Sequence, residues 1–249
     1  MLNTIEYGQG GTPLVIAHGL FGSARNWGVI AKRMARDRRV ICVDMRNHAG
    51  SFWSPDMSYG AMADDLAEVI APLGRADLLG HSMGGKAAMV AALKGAPLRR
   101  LVIADIAPVP YTHTQTPMID AMERLDLSEI DTRSQADEAL AAEIDAPGIR
   151  AFLLQSLDVK ARAWRLNLAA LRDQMPEIIG FPRLSAAHHG PALFLSGSAS
   201  DYVTPKARPA IKALFPGAQF AKIPGAGHWL HAEKPREFEA ALSVFLAGG

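Results

Sequence analysis

The stretch from Ala76 to Lys94, ADLLGHSMGGKAAMVAALK, decides the fold. The apolar run Ala76–Leu79 predicts a short buried strand, and the Ala-rich run Gly84–Lys94 predicts a helix. Between them lies Gly80-His81-Ser82-Met83-Gly84. A G-x-S-x-G set between a strand and a helix has a mechanical meaning. The tight turn forces the serine into a strained backbone conformation and lifts its hydroxyl clear of the sheet. It also leaves Ser82 at a helix N-terminus, where the partial positive charge favours developing negative charge. Glycine is expected at positions 80 and 84 because a side chain there would strike the neighbouring strand and helix. The five residues alone would be an ordinary accident of a Gly-rich loop, so the flanking elements carry the reading.

Working outward, similar apolar runs occur at Leu14–His18, Arg39–Met45, Leu101–Ile106, Ala192–Ser196 and Gln219–Ile223. Most are apolar on both faces, as parallel strands buried between helices are. Helical patterns at Trp27–Arg36, Tyr59–Pro72, Lys206–Leu214 and Pro235–Leu246 alternate with them. This rhythm predicts an α/β fold with a mostly parallel, doubly wound sheet. An opening strand near Asn3–Tyr7 is expected to pair antiparallel at one edge. From Val109 to Ser185 the rhythm stops, and the patterns are helical: Pro117–Leu125, Arg133–Glu143, Gly148–Leu157 and Lys160–Leu171. That is far longer than a crossover needs. It predicts a helical cap inserted between two late strands, with residues 109–185 as the lid and residues 1–108 and 186–249 as the core. Ligands bind open α/β sheets at the carboxyl ends of the strands, so the cap would roof the site.

Two further motifs complete a candidate machinery. His18-Gly19-Leu20-Phe21-Gly22 follows the first long strand. It is expected to be an oxyanion loop, with the Leu20 amide (Phe21 as the alternative) and the Met83 amide facing a substrate carbonyl oxygen. His18 itself is read as a loop support. Gly225-Ala226-Gly227-His228-Trp229 follows the last strand and supplies an imidazole able to take the serine proton. The carboxylate that orients His228 is open between Asp105, which ends one strand, and Asp201, which follows another. Asp44 ends a strand on the far side of the nucleophile and is read as structural. Phe21, Tyr111, Trp164, Tyr202 and Trp229, with Phe152, are the candidates for an apolar acyl pocket. Lys86, close to a helix N-terminus, is expected to have a carboxylate partner. His231 is expected to begin the last helix, and His113, His188 and His189 to be solvated. Cys42 is read as a buried small hydrophobe.

Composition narrows the classes. The chain has 249 residues, 26 Lys+Arg against 25 Asp+Glu, and a net charge of +1. The length suits one large domain with an insertion. Its single cysteine excludes a disulfide scaffold and a cysteine zinc site. The near-neutral balance argues against nucleic acid as a partner. No secretory apolar segment opens the sequence and no charge-free apolar stretch approaches ~18 residues. A cytoplasmic protein without a membrane span is the expectation. No metal-ligand spacing, GxGxxG or GxxxxGK is present, so neither metal nor nucleotide cofactor is expected. Oligomeric state is not legible in these patterns.

These residues resemble the α/β-hydrolase superfamily, and within it the YbfF-type bacterial esterase family. The matching segments are HGLFGS (His18–Ser23), DMRNH (Asp44–His48), GHSMGGKAAM (Gly80–Met89), DIAPVPY (Asp105–Tyr111), AWRLN (Ala163–Asn167) and AGHWLHAEKP (Ala226–Pro235). The resemblance implies an α/β-hydrolase fold and cofactor-free hydrolysis of a small-molecule acyl ester or thioester. It also favours Asp105 over Asp201 as the acid. One position departs: Ala49 stands where the family's loop usually carries glycine. The same serine, histidine and acid would serve C–C bond hydrolysis or acyl transfer. A non-catalytic binding protein would have no need of the complete set.

Overall fold

A computed structural model describes residues 1–248 of the chain. Its strands are β1 (Thr4–Tyr7), β2 (Leu14–Ala17), β3 (Val40–Val43), β4 (Ala76–His81), β5 (Leu98–Ala104), β6 (Leu157–Asp158), β7 (Ala163–Trp164), β8 (Ala192–Gly197) and β9 (Gln219–Ile223). Seven of them form one sheet in the order β1-β3-β2-β4-β5-β8-β9. Only β1 runs antiparallel, pairing with β3 at the edge as expected.

The order explains where a ligand can sit. From β2 the chain steps outward to β3, then returns across β2 to β4 and proceeds the other way. The loops after β2 and β4 therefore leave the sheet side by side and diverge, which opens a crevice at their carboxyl ends. Those are the loops carrying His18-Gly19-Leu20 and Ser82.

The strands are buried on both faces, and their side chains alternate between two cores. Val15, Ala17, Leu78 and Ile103 pack toward α2 (Tyr59–Ile70) and α3 (Met83–Leu93). Leu14, Ile16, Leu79 and Val102 pack toward Trp27, Ile30 and Met34 around α1 (Gly28–Met34), and toward Phe238 and Leu242 of α11 (Pro235–Ala247). Cys42 lies fully buried in β3, where burial and Asp44 push its thiol up to about 12. That thiol is inert at neutral pH.

The turn between β4 and α3 has the predicted strain. Ser82 takes φ 52° and ψ −120°. A Cβ on Gly80 would stand 2.3 Å from the Gly84 carbonyl oxygen, and one on Gly84 would stand 2.4 Å from that of His18. Both approaches exclude any side chain, so glycine at these two positions is what lets α3 start directly over β4.

Between β5 and β8 lie α4 (Thr116–Arg124), α5 (Arg133–Leu140), α6 (Pro147–Leu153), α7 (Leu168–Asp173) and α8 (Met175–Ile179). The insertion differs from the expected series of helices: α6 ends at Leu153 and α8 was not expected. Lys160–Leu171 is not a single helix: β6 and β7 pair antiparallel as a two-residue hairpin, and α7 starts only at Leu168. Asn167 sets that start, because its side chain accepts from the Ala170 amide and caps the helix. No helix of the described residues is long and apolar enough to cross a membrane.

Candidate active site

Three side chains from distant stretches meet at the carboxyl edge of the sheet. The Ser82 hydroxyl donates to His228 Nε2 at 3.1 Å, and His228 Nδ1–H donates to Asp105 Oδ2 at 2.7 Å. The His228 loop reaches this point because Gly197, at the end of β8, has no side chain. A Cβ there would lie 2.3 Å from the carbonyl oxygens of both Ala226 and Gly227.

Asp105 follows β5 and is fully buried, with φ 53°. Its Oδ1 accepts from the Gly197 amide at 3.0 Å, and its Oδ2 also accepts from the Ser200 hydroxyl. A buried carboxylate needs such donors, and they hold it facing the imidazole. Asp201, the alternative acid, is exposed, and the hydrogen bond to His228 Nδ1 comes from Asp105 instead. β5 adjoins β4, whereas β8 lies one strand further out. The chain past β8 turns its Ser200 hydroxyl inward to Asp105 and leaves Asp201 to solvent. Asp44 is structural, accepting from the Ala24 and Gly50 amides and from Asn3.

Two further groups hold His228. His81 Nε2–H donates to its carbonyl oxygen at 2.9 Å. The Tyr202 ring stacks on the imidazole at 4.0 Å between centroids, with planes 19° apart. Tyr202 is held in turn by Tyr111, whose hydroxyl donates to the Tyr202 carbonyl at 2.8 Å. Ser200 and His81 were not singled out from the sequence. His81 could have been, as the variable residue inside G-x-S-x-G.

The His18-Gly19 loop presses against the nucleophile: a Cβ on Gly19 would be 3.1 Å from Ser82 Cβ. His18 supports the loop as expected. Its Nε2 accepts from the Met45 amide at 2.9 Å, and its Nδ1–H donates to the Gly19 carbonyl at 2.7 Å. Among the described residues, neither the Leu20 nor the Met83 amide has an acceptor. The Phe21 amide is already engaged, donating to His48 Nε2 at 3.1 Å. Ala49 adopts φ 48°, the left-handed conformation that a glycine takes freely. Its amide donates to the Arg165 carbonyl at 2.7 Å, which helps hold the conformation.

A cavity of about 310 Å³ opens over Ser82. Core and insertion both line it. Phe21, Tyr111, Tyr202 and Trp229 are in its wall, as is Phe152, which packs on Trp229 at 5.7 Å between centroids. Trp164 is not. Its indole N–H donates to the Met122 carbonyl at 2.9 Å, which turns the ring onto α4 and away from the cavity. Met118, Ile149, Ile178 and Ile179 complete the apolar wall. These insertion residues were missed because an aliphatic side chain on a short helix looks the same in sequence whether it faces a core or a cavity. His113 is exposed, but it also lines the cavity and shares a hydrogen bond with the Tyr202 hydroxyl at 2.8 Å.

Lys86 is buried and has no carboxylate partner, contrary to expectation. Its ammonium donates to the carbonyls of Ile179 and Gly180, at the C-terminal end of α8, and lies 4.7 Å from the centre of the Tyr111 ring. The negative end of that helix and the ring face take the place of a counter-ion. Burial brings the amine down to about 7.

His231 lies in α10 (Leu230–Glu233), the short helix just before α11, and is buried, stacked on Trp27 at 4.0 Å. Burial and the neighbouring His228 push it down to about 3, and burial with His18 does the same to His48. An unfolded imidazole takes its proton near 6.5. Between about 6.5 and 3 the unfolded chain therefore holds one more proton per such histidine than the folded one, and acid favours unfolding. We expect the free energy of unfolding, read from urea titrations, to fall on going from pH 7 to pH 5, by about 1.4 kcal/mol per pH unit per histidine once below pH 6.5. His231→Phe should lessen that slope while keeping the stack on Trp27. An unchanged slope would mean that His231 is not held neutral.

Comparison with known proteins gives the family. A family model described as the alpha/beta hydrolase family matches residues 14–241. The "sn-1-specific diacylglycerol lipase ABHD11" of Mus musculus is 44% identical, over 94% of this chain and 80% of that protein. "Esterase YbfF" of Escherichia coli K12 is 40% identical, over 98% of this chain and 96% of that protein. A solved structure titled "Marine microorganism esterase" superposes with a TM-score of 0.93 at 39% identity, over 98% of both chains.

Proposed function

Because this chain belongs to the alpha/beta hydrolase family, we propose that it is a serine ester hydrolase that acts on small acyl esters or thioesters through an acyl-enzyme on Ser82. The observation that carries the reading is the run of contacts from Ser82 to His228 to Asp105, at 3.1 and 2.7 Å. In this reading Ser82 Oγ attacks the acyl carbonyl carbon while His228 Nε2 takes its proton. The carbonyl oxygen becomes an oxyanion held by the Leu20 and Met83 amides. Collapse breaks the bond to the alcohol or thiol, which leaves with the proton from His228. Water then attacks the acyl-enzyme, giving its proton to His228, and the acid departs as Ser82 regains its hydrogen. Asp105 holds the imidazole in the tautomer that exposes Nε2 and stabilises the imidazolium. The stacked Tyr202 ring adds a π face to that cation. Residues 109–185 serve as the lid, and the buried Cys42 is compatible with a cytoplasmic location.

The cavity's size is that of a small-molecule pocket, ~300–1,000 Å³. Its aliphatic and aromatic wall suits an apolar acyl group. A wild-type protein given a fluorophosphonate should become labelled at Ser82. In a series of p-nitrophenyl esters, kcat/KM should rise with acyl length, at up to about 0.8 kcal/mol per buried methylene, and level off once the cavity is filled. Absent labelling of folded protein would favour a non-catalytic binder, and a flat series would take the acyl group out of this cavity.

A further inference from the structure

The oxyanion loop is a strained turn gripped from two sides, once by the core and once by the lid. The Gly22 amide donates to the Gly19 carbonyl at 3.0 Å, closing a β-turn with Leu20 and Phe21 at its centre. Phe21, its third residue, has φ 63°. That position ordinarily belongs to glycine, and a bulky side chain stays there only where its surroundings hold it. Two groups do so. The Phe21 amide donates to His48 Nε2 at 3.1 Å, and the Phe21 carbonyl accepts from the Ser156 hydroxyl at 3.0 Å. All three residues are buried. His48 Nδ1–H donates to the Arg46 carbonyl at 2.8 Å, which leaves the lone pair on Nε2 to receive Phe21.

Ser156 belongs to the insertion, and its backbone continues the connection. Its carbonyl accepts from the Arg165 amide at 2.8 Å, and the Arg165 carbonyl accepts from the Ala49 amide at 2.7 Å. His48 bridges Leu166, and the Asn47 carbonyl accepts from the Asn167 amide at 3.0 Å. The segment from Ser156 to Asn167 thus touches both the strained turn and the loop that carries its histidine clamp. The alternative form of such a turn is reached by turning over its central peptide, which returns φ of Phe21 to negative values. That movement takes the Phe21 amide away from His48 and reverses the Leu20 carbonyl, so the backbone on both sides of the Leu20 Cα must readjust.

We propose that His48 and Ser156 are positioning residues that hold the Gly19–Gly22 turn in the form presenting the Leu20 amide beside Ser82, so that the lid takes part in stabilising the transition state. The proposal rests on the reading above that the Leu20 amide receives the oxyanion.

The test uses the full chain and counts active protein by fluorophosphonate titration of Ser82. For Ser156→Ala, kcat per titrated site should fall by about tenfold or more, and KM should stay within about twofold, as expected when a preorganised donor is loosened. Affinity for a trifluoromethyl ketone, which forms a tetrahedral adduct carrying the same oxygen charge, should fall by a matching factor. His48→Gln, which offers an amide oxygen to Phe21, should lose less than His48→Phe, which offers nothing. A purely structural role would lower the Tm and the titrated fraction with kcat per site unchanged. That result for Ser156→Ala overturns the proposal, as does a fall in kcat without a matching loss of ketone affinity. Equal losses in the two His48 variants overturn the histidine's part. If His48→Phe does not fold, Ser156→Ala decides alone. Failure of the wild type to label would instead reject the underlying reading.

Discussion

Ser82→Ala is expected to lower ester turnover by on the order of 10⁴–10⁶ while the protein stays folded. The size follows from what is removed. Without the hydroxyl there is no acyl-enzyme, and His228 is left with no proton to accept from a bound nucleophile. What remains is the cavity and the two loop amides, which by themselves retain about 10³–10⁴ over water. Folding should be almost unaffected, because alanine keeps the Cβ and the backbone at φ 52° already tolerates it. The check is kcat for a p-nitrophenyl ester beside a thermal melt. Turnover within tenfold of wild type, with an unchanged melt, would move the nucleophile elsewhere.

Asp105→Asn is the second large effect. The change is nearly isosteric: the Gly197 amide keeps an oxygen to meet, and the Ser200 hydroxyl, which shares the Oδ2 position with His228, turns to accept from the new NH2. The amide, however, can present a hydrogen to His228 Nδ1, which pushes the imidazole into the tautomer with hydrogen on Nε2. That tautomer cannot take a proton from Ser82. The expected loss in kcat is about 10⁴. Asp201→Asn should stay within about twofold, since Asp201 is exposed and does not touch the imidazole. Comparable losses in the two variants would contradict the division of roles. Ser200→Ala is a milder probe of the same carboxylate: it removes one donor from Asp105 Oδ2 and leaves the His228 contact in place.

The elements that could be read from one dimension share a physical cause. Strands buried on both faces leave continuous apolar runs, and a tight strand-to-helix turn leaves glycines that nothing else can replace. Hence β2, β4 and β8, the Gly80 and Gly84 pair, and the serine they present were all legible. His228 was legible too, because a Gly-rich loop after the last strand is a local feature. What could not be read depends on which chain segments meet. Asp105 and Asp201 both follow strands, and local pattern treats them alike. The contacts made in the folded chain distinguish them: Asp105 bonds His228, and the segment beyond β8 reaches the same carboxylate through Ser200 while Asp201 stays exposed. Trp164 looked like a cavity residue until its indole N–H found the Met122 carbonyl across the insertion. Lys86 looked as if it needed a carboxylate and instead found the end of a helix that closes over it from 93 residues away.

The sequence by itself therefore determined the class of sheet, the strained serine, the loop that faces it and the histidine, since each is written in the spacing of neighbouring residues. Only the tertiary structure decided which carboxylate bonds His228, the walls of the cavity and the double grip on Phe21. Those are agreements between segments far apart in the chain, made by packing, and no local pattern encodes them.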